Sequence, residues 1–186
     1  MPGENDFPPL PLASAAELPR SGRLLAVDYG HKRLGLAICN DEQSIASPLE
    51  NYNRLSDRLD GTHLQRLAKE YRCVGCVVGL PLHMGGQVSE SSQRAQKFAA
   101  WLASLTGLPI AYQDERCTSS VVEDQLILMD VSRGKRKQLL DKLAAQVILQ
   151  AYIDHRAHLA RTAALAEPGS PASAGQDEPT LESGDE

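Results

Sequence analysis

The chain has 186 residues, of which 42% are hydrophobic and 23% charged, and its formal net charge is −5. That length suits one domain of about 150 residues with tails, and no apolar run approaches the ~20 residues of a membrane span. The charge is unevenly placed: all 19 Lys and Arg but only 15 of the 24 acids lie between Arg20 and Arg161, a balance of +4 there. Such a balance is compatible with a polyanionic partner without requiring one.

Residues 1–22 hold five prolines and no periodicity, and residues 161–186 are rich in Ala, Pro, Ser, Gly and acid. Both read as disordered tails around a domain at 23–160. The start of the chain lacks the basic and apolar regions of a signal peptide, so a soluble, cytoplasmic protein is expected.

Leu24 to Ile38 reads LLAVDYGHKRLGLAI. The first apolar run does not alternate, which predicts a strand buried on both faces. Asp28 closes it, and Gly30 supplies the tight geometry of a hairpin into a second strand. A carboxylate at the end of a buried run costs several kcal/mol unless it is paired. Lys32, Arg33 or a metal ion would pair it, whereas a plain turn-former would need none of them. The turn also permits a second reading, as the phosphate loop of an actin-like nucleotide-binding protein.

Ser44 to Leu49 predicts a third strand, ended by Pro48, and residues 56–71 a helix with Leu59, His63, Leu64, Leu67 and Tyr71 on one face. His63 reads as a packing residue. Val74 to Leu80 is the fourth strand. The next helix runs from Glu90 to Thr106 with Ala95, Phe98, Ala99, Leu102 and Leu105 inward, and Gly107 stops it. Leu108 to Gln113 is the fifth strand, Thr118 to Met129 a third helix, and Gln138 to about Leu159 a last one. The order βββαβαβαα predicts an α/β protein with a five-stranded mixed sheet: three antiparallel strands, then β-α-β crossovers, with helices on both faces. That is the ribonuclease H-like arrangement.

The four cysteines, Cys39, Cys73, Cys76 and Cys117, form no disulfide framework. Cys73 and Cys76 make a C-x-x-C, but they enter an apolar strand and have no second pair at zinc spacing. They read as core residues in a reducing compartment.

Asp114 and Glu115 leave the fifth strand at its C-terminal end, where open α/β sheets place their ligands; either could instead cap the following helix. Asp141 begins a stripe with Ala145, Ile148 and Tyr152, small and apolar positions that face a sheet. Asp28, Glu115 and Asp141 therefore come from three elements that this topology brings to one edge. Gathered carboxylates repel one another, and hard divalent cations relieve that repulsion. Mg²⁺ or Mn²⁺, as two ions about 4 Å apart, would suit phosphodiester hydrolysis. Just before Asp141, Arg133, Lys135, Arg136 and Lys137 crowd the start of the last helix, where the dipole disfavours cations. A nucleic-acid backbone arriving there would offset that cost, although a solvated basic loop would account for the same residues.

Val27-Asp28-Tyr29-Gly30 with Lys32 to Ala37, Val78 to Leu82, Asp114-Glu115-Arg116, Val131-Ser132-Arg133, and Asp141 to Ala145 with Ile148-Leu149-Gln150 resemble the YqgF family. The resemblance covers about residues 23–155. That family is described as Holliday junction resolvases and as nucleases of pre-16S rRNA. It implies a ribonuclease H-like fold, a cytoplasmic location and processing of the 5′ end of small-subunit rRNA, with pre-ribosomal particles as partners. It also carries Asp28, Glu115 and Asp141 over as the acidic, metal-binding site. Lys32, Arg33, Arg116, Arg133, Lys135, Arg136 and Lys137 would hold the strand. Two positions depart from the pattern: His31 stands where Thr is more usual, and Gly79-Leu80-Pro81 stands where related resolvases carry an acid. A DNA junction is the alternative substrate, which a dimer would cut, and an idle nucleic-acid-binding factor is the alternative of another class. Monomer and dimer both remain open, and no membrane partner is expected.

Overall fold

The computed structural model describes the backbone of residues 18–81, 89–114 and 133–166, and the side chains of all of these except 133–142 and 166. The elements are β1 (Leu24–Tyr29), β2 (Arg33–Cys39), β3 (Ala46–Asn53), α1 (Asp57–Glu70), β4 (Gly75–Leu80), α2 (Glu90–Thr106), β5 (Ile110–Asp114) and α3 (Arg133–Ala166). The sheet order is β3-β2-β1-β4-β5. β1 pairs antiparallel with β2, β2 antiparallel with β3, and β1 and β5 parallel with β4. This is the ribonuclease H-like five-stranded mixed sheet. The predicted helix at 118–129 lies outside the described residues.

Strand alternation divides the core into two layers. Leu25, Val27, Leu34, Leu36, Val78 and Tyr112 pack with Leu64 and Leu67 of α1 and Phe98 and Leu102 of α2. Leu24, Ala26, Ala37, Val77 and Ala111 pack with Ala145, Ile148, Leu149, Tyr152 and Ile153 of α3. Helices thus cover both faces, and each fully buried large apolar side chain contributes about 1.5–3 kcal/mol. Both described crossover helices start on serine caps. Ser56 accepts from the Leu59 N–H, and Ser89 shares a reciprocal capping box with Ser92. Gly107 ends α2 in the left-handed region at φ 69°, as its residue type predicts.

Several boundaries differ from the sequence expectation. β3 does not stop at Pro48 but continues to Asn53, with a bulge opposite Leu36/Ala37; an edge strand tolerates proline because one row of its N–H groups faces outward. Along α1 the buried positions are Asp60, Gly61, Leu64, Leu67 and Ala68, while Leu59 is 41% exposed. The inward face is therefore rotated from the predicted stripe, because Asp60 is drawn inside by an ion pair with Arg54 at 3.0 Å. α3 starts at Arg133 rather than Gln138, so the basic residues occupy its first turns and not a preceding loop. Gly134 costs that helix only about 1 kcal/mol, which its length absorbs.

The domain boundary also falls earlier than residue 23. Leu18 is 2% exposed and packs over Gly75, where an added Cβ would lie 3.0 Å from its methyl group. The buried Arg156 of α3 donates to the Leu18 and Pro19 carbonyls at 3.0 and 3.1 Å. Leu18 to Gly22 are therefore part of the packed fold, not of a disordered tail. Cys39, Cys73 and Cys76 are free and buried, as core residues; Cys117 lies outside the described residues. Burial pushes the Cys73 thiol up to about 11 and raises that of Cys76 further.

Candidate functional site

The α3 face of the sheet carries Leu24, Ala26 and then, by alternation, Asp28 at the C-terminal end of β1. Asp28 pairs across the ladder with Gly35. A Cβ built on Gly35 would lie 3.3 Å from the Asp28 Cβ, 3.6 Å from its Oδ2 and 3.5 Å from the Ala145 Cβ. The half-buried carboxylate therefore occupies the space that Gly35 leaves open, beside the methyl group of α3. The neighbouring hairpin is tight for a specific reason: the Gly30 N–H donates to the Arg33 carbonyl at 3.0 Å, and a Cβ on Gly30 would sit 2.5 Å from that oxygen.

Two glutamines set how α3 lies on this face. Gln146 donates to the Ala46 carbonyl at 2.9 Å, and Gln150 accepts from the Ala46 N–H at 2.9 Å while donating to the Ser44 carbonyl at 3.2 Å. They lock the helix to β3 in one register, with Ala145 over Gly35. Asp141 stands one turn before Ala145 on the same stripe. Twelve residues of α3 precede Ala145, and at 1.5 Å per residue they carry the helix about 18 Å onward, past the C-terminal edge of β1. Arg133, Lys135, Arg136 and Lys137 lie on that overhang, with no acid in the first turn.

The other expected site residues divide clearly. Arg33 shares the Gly35 face of β2 and is exposed, and Lys32 is exposed at the hairpin tip. Asp114 shares the face of Ile110 and Tyr112, the α1/α2 layer, so it lies across the sheet from Asp28. Glu115 and Arg116 lie outside the described residues, as do the side chains of Asp141, Arg133, Lys135, Arg136 and Lys137. On the Asp28 face Asp28 pairs with Gly35 and Gly79 pairs with Gln113, and the β1–β4 ladder, whose last pair is Val27 with Val78, puts Gly79 next along from Asp28, so the neighbouring strand ends on glycine and not on an acid. Among the described residues, no group of three or more His, Cys, Asp and Glu is placed to hold a metal. Asp28, the described acid of this edge, is nevertheless a hard oxygen donor, and three of the four cysteines are buried in the core.

Sequence reasoning passed over the residues that support the site. Gln146 lies in none of the motifs, and Gly35 and Gln150 stand in them with no role assigned, because they act through space left open and through register, which no residue-type rule flags. Asp60 is a further miss. It is 1% exposed, pairs with Arg54 at 3.0 Å and accepts from the Leu55 N–H at 3.0 Å. Burial alone would raise its carboxyl, but the Leu55 N–H, the Arg54 guanidinium and the Tyr52 hydroxyl outweigh that and hold it below the ordinary value. It is a structural acid that fastens α1 to the end of β3.

No helix among the described residues is long and apolar enough to cross a membrane. Residues 22–155 match the RuvX family, described as Holliday junction resolvase. A Bradyrhizobium diazoefficiens protein named "Putative pre-16S rRNA nuclease" is 41% identical over 151 residues, which cover 81% of this chain and 94% of that one. A protein of the same name from Rhodopirellula baltica is 41% identical over 136 residues, covering 73% and 79%. Among solved structures, Thermus thermophilus RuvC in complex with Holliday junction substrate aligns with 73% of this chain and 96% of its own, at 15% identity and a TM-score of 0.47. The motifs around Asp28, Asp114 and Asp141 that resemble YqgF and this wider match describe one family, and the chain belongs to it: the RuvX family.

Proposed function

We propose that the protein is a metal-dependent nuclease that hydrolyses phosphodiester bonds in RNA and processes the 5′ end of pre-16S rRNA. The observation that carries this reading is the Asp28 carboxylate, lodged at the Gly35 gap beside Ala145, one helical turn from the backbone position of Asp141. The names of the relatives supply the substrate. Asp28, Glu115 and Asp141 would hold a hard divalent cation, Mg²⁺ or Mn²⁺. Glu115 is preferred to Asp114 because Asp114 belongs to the opposite face of the sheet. When bound, such a cation acidifies water and stabilises the leaving oxygen. Asp28 orients the site from a rigid central strand. Arg33, Lys32 and the basic residues at the start of α3 would hold the sugar-phosphate backbone, and Arg116 would contact the scissile phosphate. Ala145 of the docked α3 lies beside the Asp28 carboxylate and covers part of it.

The description of the family as Holliday junction resolvase favours one second reading, a DNA four-way junction. The test incubates a 5′-extended small-subunit rRNA precursor and a four-way DNA junction with Mg²⁺ or Mn²⁺, with and without EDTA, comparing wild type with Asp28→Asn. RNA cleavage that is lost in EDTA and in the folded variant is expected. Cleavage of the junction alone would favour the resolvase, and binding of both without cleavage would favour the idle binding factor.

A further inference from the structure

On the opposite face of the same sheet edge, a cleft of about 270 Å³ opens between β1 and α2. Tyr29, Phe98 and Trp101 form its apolar surface, and Arg54, Arg94 and Lys97 supply positive charge beside Asp57. The rings make one continuous series, with Tyr29 and Phe98 centroids 4.6 Å apart and Phe98 and Trp101 centroids 5.5 Å apart. Their orientation is fixed from outside. Arg54 donates to the Tyr29 hydroxyl at 3.1 Å and stands 5.3 Å from its ring centre, while being pinned by Asp60 and Asp57 at 3.0 Å each. Trp101 fits against α1 at Gly61, where an added Cβ would lie 3.2 Å from the indole.

Charge and shape together select a ligand. Arg94 and Lys97 share one face of α2 with Trp101, at spacings of three and four residues. Arg94 pairs with Glu90, but both side chains are exposed, and such a pair exchanges readily for a phosphate. The volume lies just under the ~300 Å³ at which pockets for drug-sized ligands begin, so it suits one nucleotide and not a dinucleotide cofactor. Aromatic surfaces flanked by cations stack unpaired bases while holding their phosphates. Tyr29 follows Asp28 directly in β1, with Cα atoms about 3.8 Å apart and side chains on opposite faces. We infer that this cleft seats one unpaired nucleotide of the strand whose backbone crosses the Asp28 edge, its base against Trp101 and Tyr29 and its phosphate on Arg94 and Lys97. The inference rests on the nuclease reading for the identity of that strand.

Trp101 is the single tryptophan of the chain, so its fluorescence reports the cleft directly. The full-length protein in EDTA is titrated with a ten-nucleotide single-stranded RNA, a paired RNA duplex of the same sequence, 5′-AMP and adenosine. Saturable quenching by the single strand is expected, with weaker quenching by 5′-AMP and little by the duplex or by adenosine. Arg94→Glu/Lys97→Glu, two exposed positions, should raise the apparent Kd about tenfold. The inference is overturned if a strand that binds by anisotropy leaves the emission unchanged, if 5′-AMP quenches and the strand does not, or if the charge reversal leaves Kd unaltered. Quenching as expected in a protein that cleaves nothing would defeat the nuclease reading and keep the cleft. Normal cleavage with an unaltered Kd in the charge-reversed variant would do the opposite.

Discussion

Replacing Gly35 by alanine adds one methyl group where β1, β2 and α3 converge. The added carbon would lie 3.3 Å from the Asp28 Cβ and 3.5 Å from the Ala145 Cβ. The first contact is a few tenths of an ångström inside the favourable 3.5–4.0 Å range between carbons. The β1–β2 ladder holds both backbones, so the Asp28 side chain or α3 must give way. Overpacking of this size costs about 1 kcal/mol or a little more, offset by about 0.5–1 kcal/mol because alanine loses less freedom on folding than glycine. Stability should therefore change little, with Tm within about 4 °C of wild type. Activity should change more. A displaced ligand carboxylate in a preorganised site costs about 10- to 100-fold. The assay pairs thermal unfolding followed by circular dichroism with single-turnover cleavage of the rRNA precursor in Mg²⁺. Unchanged cleavage in a folded Gly35→Ala variant would refute the placement of Asp28 in the reacting site. A collapse of Tm that accounts for all of the lost activity would show that Gly35 serves packing alone.

Asp60→Asn should cost about 3 kcal/mol in urea unfolding at pH 7, because it leaves the Arg54 guanidinium without its buried carboxylate. The Asp60 carboxyl is held below its ordinary value, so its contribution is present above about pH 4 and is lost as pH falls through the lower folded value. The variant should accordingly lose less stability than wild type between pH 5 and pH 3, and equal losses would refute the linkage. Iodoacetamide at pH 7.5 should leave Cys39, Cys73 and Cys76 unmodified in the native protein, since burial raises all three thiols; rapid labelling of Cys73 or Cys76, read by mass spectrometry, would restore a redox role. Exchanging Arg133, Lys135, Arg136 and Lys137 for Gln should weaken single-strand binding and flatten the dependence of log K on log salt by about 0.7 for each phosphate that the protein no longer neutralises. An unchanged slope would mean that the overhang of α3 does not meet the backbone.

The fold was legible because β1, β2, β4 and β5 are largely apolar runs with little else to become, and because Ser56, Ser89 and Gly107 punctuate the helices as their chemistry dictates. Asp28 was legible because a carboxylate ending a buried run is out of place. The register of α3 was not, since Gln146 and Gln150 look like ordinary helix-surface residues until Ala46 is beside them. Asp60 was hidden by the same logic: its burial depends on Arg54, and Arg54 is placed by the hairpin tip, whose Lys32 carbonyl accepts the Arg54 N–H at 3.0 Å. The aromatic cleft joins Tyr29 to Phe98 and Trp101, 69 and 72 positions along the chain, and only the folded sheet brings them together.

The bonds from Arg156 to Leu18 and Pro19 span 138 and 137 positions, nearly the full run of the described fold. Contacts of such separation form late, because the loop they close must first be ordered. On a ribosome the order is stricter still: β1 and its acid emerge early, but the α3 face stays uncovered until the last helix has been made. The half-buried carboxylate at the Gly35 gap gains its helical wall only at that step. A nascent chain stalled before residue 145 would therefore carry Asp28 without the helix that walls it.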